Sequence, residues 1–149
     1  MVREEATRLG LDHTRDNLIE VGVKMRAEGG PGALARAVVP RLRGREVVDS
    51  IRNPGEVAVL RTLPRFILLG VEAPQALRFQ RSLKRGRSGD GATLEQFARQ
   101  ESLENSLTET GQQLLATLAL ADVVVNNDDT LETLRSRVIE ALARAGVQI

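Results

Sequence analysis

Three short apolar runs and a series of helical apolar stripes organise this 149-residue chain. The runs lie at 47–51, 65–71 and 121–125, lack helical spacing and have glycine, proline or asparagine nearby, so each is predicted to be a short buried strand. The stripes predict helices over 1–9, 14–27, 33–43, 109–120 and 130–145, with three further helices starting at 54, 74 and 94. Strands that alternate with helices predict an α/β fold, a parallel sheet with helices on both faces.

Capping and breaking residues mark several predicted helix boundaries. Thr14 or Asp16 suits the start of the second helix, and Asp129 with Glu132 has the spacing of a reciprocal cap for the last. Pro40 lies inside the third helical pattern, where it should bend or break the helix because it lacks an N–H donor.

Composition excludes several classes of function. Hydrophobic content of 42% and charged content of 28% are typical of a globular protein in water, and a net charge of +1 gives no overall field for nucleic acid or anionic membranes. The chain has no cysteine and one histidine, His13, so disulfides, thiolate metal sites and histidine metal clusters are excluded. Aromatic content of 2% argues against stacking on single-stranded nucleic acid. No apolar run reaches membrane-spanning length and no signal peptide is visible, so we expect a cytoplasmic location without membrane partners.

The first candidate site follows the first predicted strand. Asp49, Ser50 and Arg52 lie at its carboxyl end, and ligands of open α/β sheets bind at that end. A carboxylate there can hold a hydrated magnesium ion, and an arginine can bind a phosphate with two parallel hydrogen bonds. An equally open interpretation is a strand end that carries polar residues only because it meets water.

The second candidate site is a cationic helix that runs into a glycine-rich hinge at 86–91. A cationic helix next to a mobile loop suits a lid that closes on a polyphosphate and expels water. A solvated basic face and a contact with nucleic-acid phosphates are the alternatives. The cations are Arg78, Arg81, Lys84, Arg85 and Arg87.

Four segments together resemble the P-loop nucleotide kinases, and most of all the dephospho-CoA kinase-like and archaeal-type uncharacterised nucleotide-kinase branch. Met1–Ala6 is similar to the start of the substrate-binding helix, and Val48–Arg52 resembles the strand end with its aspartate and arginine. Arg78–Arg87 looks like the lid. Val123–Asn127, followed by Thr130–Glu132, resembles the strand-to-helix turn beside the nucleotide base.

The resemblance implies a single domain over 1–149 with a three-layer P-loop-NTPase-like parallel sheet and a lid at about 74–106. It implies an ATP-dependent phosphotransferase that uses Mg²⁺ and acts on a small phosphate- or hydroxyl-bearing nucleotide. Arg3 and Arg52 would bind the acceptor phosphate, and Asp49 would orient the nucleophilic hydroxyl or a magnesium-bound water. The lid arginines, which would close over the transferring phosphate and bind the nucleotide, are Arg81, Arg85 and Arg87, and Asn126 would lie near adenine.

The chain departs from that family at one essential motif. No G-x-x-x-x-G-K-[ST] segment is present, so the amides, lysine and hydroxyl that hold ATP phosphates are missing. The resemblance therefore implies an incomplete sheet, without the first strand, the P-loop and the second strand, and an N-terminally truncated chain that is inactive as it stands. The alternative is a non-catalytic module that binds a nucleotide or a regulatory partner. If the chain folds alone, 47–50 and 66–71 should pair directly, or two copies should complete each other's sheet as a homodimer.

Overall fold

Residues 1–86, 92–105 and 107–147 are described by a computed structural model, in which the chain divides into two units. The first unit comprises Met1–Phe66 and Glu101–Ala119, and the second comprises Ile67–Gln100 and Leu120–Ile149. The prediction of a single domain stays a prediction.

The described elements are an α/β set of helices with one pair of strands, so the predicted fold class is confirmed at that level. None of the described helices combines the length and the apolar character needed to cross a membrane. In chain order the helices and strands are α1 (Val2–Arg8), α2 (Arg15–Gly29), α3 (Ala33–Val38), α4 (Pro54–Leu60), β1 (Leu69–Glu72), α5 (Gln75–Arg85), α6 (Leu94–Leu103), α7 (Leu114–Leu118), β2 (Val123–Asn126) and α8 (Leu131–Arg144).

The first unit is helical, and its buried core comes from α1 to α4. The Thr14 side chain accepts a hydrogen bond from the main-chain N–H of Asn17, which confirms the predicted cap of α2. The third helical pattern is interrupted as expected: α3 ends at Val38, and Pro40 lies in a single 3₁₀ turn, Val39–Arg41. The buried apolar residues of the first unit are Ala6, Val21, Ala35, Val57 and Leu60.

The predicted strand at 47–51 is wrong. Those residues have no regular secondary structure, and Val47 is 93% exposed. Ser50 has a φ of 62°, which no strand accommodates, and Glu46 accepts hydrogen bonds from the main-chain N–H groups of Arg43 and Gly44 in a tight turn. Apolar residues alone do not make a strand without a neighbour that takes up the main-chain hydrogen bonds. The expected direct pairing of 47–50 with 66–71 is therefore also wrong, and Asp49 and Arg52 do not follow a strand.

The second unit contains the two strands, β1 and β2, which pair in parallel with Leu69 opposite Val123 and Glu72 opposite Asn126. The strand predicted at 65–71 is shorter and begins later, because Arg65 has a φ of 59° in the preceding turn. Parallel strands end together, so the residues after Glu72 and after Asn126 lie at one edge of the sheet. The buried apolar residues of this unit are Leu68, Phe97, Val125 and Ala141.

Two helix starts also differ from the predictions. The helix expected over 109–120 is limited to α7, because the residues before it form a loop whose carbonyls bond to side chains of the same unit. Helix α8 is capped by Thr130, whose side chain accepts from the main-chain N–H of Thr133. Asp129 accepts instead from the N–H of Thr130, so the reciprocal cap with Glu132 is wrong.

Candidate functional site

Arg52 is held at three points in the first unit. Its main-chain N–H donates to Oε2 of Glu56 at 2.9 Å, and its carbonyl accepts from the main-chain N–H of Gln113 at 2.8 Å. Its guanidinium Nη1 donates to Oε1 of Gln112 at 2.9 Å. The main chain and the side chain are therefore both oriented before any ligand arrives.

The charge of Arg52 has a neutral partner. The residue is partly buried, and Gln112, which accepts from it, is 7% exposed. Among the residues that the structure describes, no carboxylate lies within ion-pair distance of the Arg52 guanidinium. A partly buried guanidinium is usually paired with an anion, because taking the charge out of water is costly. Arg52 can therefore attract a ligand anion with donors that its amide partner leaves unused.

A buried polar cluster supports this position from behind. Nε of Arg26 donates to Oε1 of Glu56 at 2.9 Å, and both side chains are almost completely buried. Asn53 is 1% exposed and donates to the carbonyls of Glu109 and Gly111 at 2.7 and 2.9 Å. These bonds attach the loop that carries Gln112 to the segment that carries Arg52.

Asp49 and Ser50 precede Arg52 on an exposed segment. The φ of 62° at Ser50 is in the left-handed region, which is costly for a residue other than glycine, asparagine or aspartate. Backbone strain of this kind occurs often at ligand-binding segments. Here it turns the chain sharply between the candidate carboxylate and the candidate arginine.

Arg81 has a comparable environment in the second unit. It lies on α5, is partly buried, and donates to the carbonyls of Asn127 at 2.7 Å and Asp129 at 3.4 Å. Both carbonyls belong to the loop after β2, and the N–H of Asn127 bonds to the carbonyl of Glu72 at the end of β1. Arg81 therefore lies at the carboxyl edge of the parallel pair, where its guanidinium donates to two main-chain carbonyls.

The loop after β2 is also held by Arg137 of α8. Its Nη1 donates to the carbonyl of Asn126 at 2.6 Å and to the Asp128 carboxylate. The hydrogen bond from Arg137 lowers the pKa of Asp128 below its ordinary value. The side-chain oxygen of Asn127 is buried and accepts no hydrogen bond from the described part of the chain.

The remaining predicted site residues are distributed as follows. Arg3 is exposed on α1 of the first unit, where its carbonyl accepts from the side chain of Thr7. Arg85 is exposed at the end of α5, and Asn126 is exposed at the end of β2. Arg87 lies outside the described residues. Asp49 and Arg52 lie three residues apart on one segment of the first unit, and Arg81 and Asn126 lie around the same loop of the second unit.

Sequence reasoning missed the residues that hold Arg52. Glu56 lies in the first turn of α4, where acidic residues are common, but it is buried and bonded to Arg26 and Arg52. Its position three residues after Asn53, in the spacing of a capping box, was the available signal. Gln112 gave none, because it is 60 positions from Arg52.

Magnesium would depend on ligand oxygens. Within residues 1–86, 92–105 and 107–147, no three histidine, aspartate or glutamate side chains are grouped to hold a metal ion. Magnesium in phosphate-transfer sites commonly uses one or two carboxylates, with water and substrate phosphates as the other ligands. The exposed carboxylate of Asp49 could supply one such ligand, and water and substrate phosphates would have to supply the others.

Several known proteins are similar to this chain over nearly its whole length. A UPF0200 protein of Pyrococcus abyssi is 34% identical, over 96% of this chain and 78% of the relative. A UPF0200 protein of Hyperthermus butylicus is 33% identical over 97% and 77%, and one of Methanoculleus marisnigri is 34% identical over 97% and 79%. No family model matches the chain.

Proposed function

This chain belongs to the UPF0200 family, and we propose that it binds a phosphate-bearing nucleotide and takes part in ATP-dependent phosphoryl transfer. The observation that carries the proposal is the burial and the hydrogen bonding of two arginines. Arg52 and Arg81 are both partly buried, and within the described part of the chain their guanidinium groups donate to an amide and to main-chain carbonyls rather than to carboxylates. Guanidinium groups oriented in this way suit phosphate, whose geometry matches their paired donors.

Each arginine has a separate role in the proposed reaction. Arg52, with Arg3, binds the phosphate of the acceptor. Arg81 and Arg85, with Arg87, stabilise the charge on the phosphoryl group in transfer. The acceptor oxygen forms a bond to the γ-phosphorus of ATP, the bond from that phosphorus to the bridging oxygen breaks, and ADP leaves. Asp49 orients the acceptor hydroxyl, whose proton passes to it or to water, and Asn126 lies near adenine.

We extend the proposal to the architecture of the protein. A parallel sheet normally contains more than two strands and is covered by helices on both faces, so we propose that β1 and β2 are part of an incomplete three-layer P-loop-like fold. Within the described residues, β1 and β2 have each other as neighbours. A homodimer in which two copies extend each other's sheet would remove the exposed strand edges. A cytoplasmic location, where ATP is available, belongs to the same proposal.

The direct test is ATP binding by the purified protein, measured by isothermal titration calorimetry with and without Mg²⁺. Magnesium-dependent binding is expected. Arg81→Ala should weaken it by about tenfold or more, because a charge-assisted contact is lost. Arg135→Ala removes the same charge from an exposed position of α8 and should change the affinity less than about twofold.

Turnover tests the lid assignment separately. With ATP and a nucleoside monophosphate, Arg85→Ala should lower kcat by more than about tenfold, because arginine stabilises the transferring phosphoryl group. Turnover equal to that of the unmutated protein would exclude Arg85 from that role. Absence of ATP binding, with or without Mg²⁺, would refute the phosphotransferase proposal itself.

A second function is favoured by the missing G-x-x-x-x-G-K-[ST] motif. Because residues 1–149 do not supply the amides, lysine and hydroxyl of that segment, the alternative is a regulatory module that binds a nucleotide or a partner without turnover. ATP or monophosphate binding without phosphoryl transfer would favour it. Binding to DNA or RNA that falls steeply with salt and ignores nucleotides would favour a polyanion partner instead.

A further inference from the structure

We propose that Gln112 is a positioning residue that holds Arg52 ready, with its charge uncompensated, for the phosphate monoester dianion of the acceptor. The inference rests on the proposed function and deepens it, because it assigns a role to a residue that touches no substrate. Gln112 is buried, lies 60 positions from Arg52, and has its side-chain oxygen 2.9 Å from Nη1 of Arg52.

The first argument is orientation. An arginine side chain has several rotatable bonds, and binding a phosphate normally costs the entropy of ordering them. The bond from Arg52 to Gln112 restrains the guanidinium, while Glu56 and Gln113 restrain the main chain at its N–H and its carbonyl. Much of the ordering cost is therefore met during folding, so that phosphate binds a prepared group.

The second argument is charge. In the buried cluster Arg26 is neutralised by Glu56 at 2.9 Å, which leaves the Arg52 guanidinium as the cation without a carboxylate partner among the described residues. An amide accepts a hydrogen bond as a carboxylate does, but it adds no negative charge. A carboxylate at the same place would hold Arg52 equally well and would compete with the ligand. A glutamine at this position therefore orients the Arg52 guanidinium and leaves its positive charge available to the ligand.

The third argument is the support of the loop that carries Gln112. Asn53 donates to the carbonyls on both sides of Thr110, and Nη1 of Arg26 donates to the Thr110 carbonyl at 3.3 Å. Three consecutive carbonyls before Gln112, those of Glu109, Thr110 and Gly111, are thus bonded to nearly completely buried side chains. Such support keeps Gln112 at one distance from Arg52, as a prepared binding site requires.

The test uses the whole protein and AMP as the phosphate monoester, with adenosine as the phosphate-free control, in isothermal titration calorimetry. The decisive variant is Gln112→Glu, which has nearly the same shape and retains the acceptor but adds a charge. AMP affinity should fall by about tenfold or more, because the new carboxylate pairs with Arg52. Thermal stability should stay close to that of the unmutated protein.

The matched control is Asn17→Asp, which makes the same change from amide to carboxylate in the first turn of α2. The side chain of Asn17 donates to the carbonyl of Asp12 and is not among the groups that hold Arg52, so AMP affinity should change less than about twofold. Gln112→Met, which removes the acceptor without adding charge, should weaken AMP binding with a smaller factor than Gln112→Glu. If Gln112→Glu does not fold, the AMP affinity of Gln112→Met decides whether Gln112 positions Arg52.

A purely structural role for Gln112 predicts the opposite pattern: Gln112→Glu keeps its AMP affinity, since the acceptor remains, and that result would overturn the inference. If Arg52→Lys leaves the AMP affinity unchanged, the assignment of Arg52 as the residue that binds the phosphate is overturned. Failure of the unmutated protein to bind AMP more tightly than adenosine would overturn the inference too. The magnesium-dependent ATP titration is scored separately, so the proposed function can stand when this inference fails.

Discussion

Arg26 and Glu56 form an ion pair in the interior of the first unit, with Nε and Oε1 at 2.9 Å and exposed side-chain fractions of 3% and 4%. The second carboxylate oxygen of Glu56 accepts from the main-chain N–H of Arg52, so this pair connects α2 to the candidate phosphate site. Burying two charges is costly, and their attraction offsets the cost only while both partners remain.

Removing one partner of this pair should therefore be strongly destabilising. Arg26→Met is expected to lower the free energy of unfolding by about 3–5 kcal/mol, because Glu56 is left as a buried, uncompensated charge. Urea unfolding followed by circular dichroism measures it. Glu140→Gln, in the exposed pair with Arg144, should cost less than about 0.5 kcal/mol. A loss below about 1 kcal/mol for Arg26→Met would contradict the buried-pair account.

Asn53 should be sensitive to an almost isosteric change. Asn53→Asp keeps the oxygen that caps α4 but replaces two donated hydrogen bonds by a carboxylate facing the carbonyls of Glu109 and Gly111. We expect a loss of about 2 kcal/mol or more in unfolding free energy, since buried acceptors lose their donor. Asn17→Asp, in the first turn of α2, should change stability by no more than about 0.5 kcal/mol. Equal effects of the two substitutions would exclude this role for Asn53.

Ser50 should tolerate asparagine but not valine. Its φ of 62° lies where a β-branched side chain meets the main chain, and Ser50→Val is expected to lower the unfolding free energy by about 1–2 kcal/mol. Ser50→Asn should be close to neutral, because asparagine accepts this conformation. Ser136→Val, on the exposed face of α8, controls for the added valine and should cost no more than about 0.7 kcal/mol. Full stability of Ser50→Val would show that the segment relaxes to a negative φ.

The bond from Arg137 to Asp128 should make stability depend on pH in the acidic range. Because this bond lowers the pKa of Asp128 in the folded protein, its contribution is fully present above the unfolded carboxyl pKa of about 3.9. The contribution is lost as the pH falls through the lower folded-state pKa. Asp128→Asn should therefore lower Tm at pH 7, and the difference from the unmutated protein should shrink below about pH 4. A Tm difference that stays constant between pH 7 and pH 2 would be inconsistent with this linkage.

Local signals predicted the helices well, since helix starts depend on neighbouring residues. Thr14 as the cap of α2 and Pro54 in the first turn of α4 were both readable from a few adjacent positions. The run at 47–51 shows the limit of such signals. Its apolar composition indicated a strand, but a strand depends on a partner elsewhere in the chain, and the left-handed Ser50 interrupts the extended conformation.

The sequence by itself determined the α/β class and most of the helix positions, and it supplied the arginines on which the phosphate proposal rests, above all Arg52 and Arg81. Only the tertiary structure decided which groups hold those arginines. Gln112 lies 60 positions from Arg52, and Arg26 lies 30 positions from Glu56, which is itself a near neighbour of Arg52. The long-range hydrogen bonds exist because folding brings three segments into one buried cluster. Burial also gives that cluster its importance, because an unpaired charge is cheap in water and costly in a protein interior.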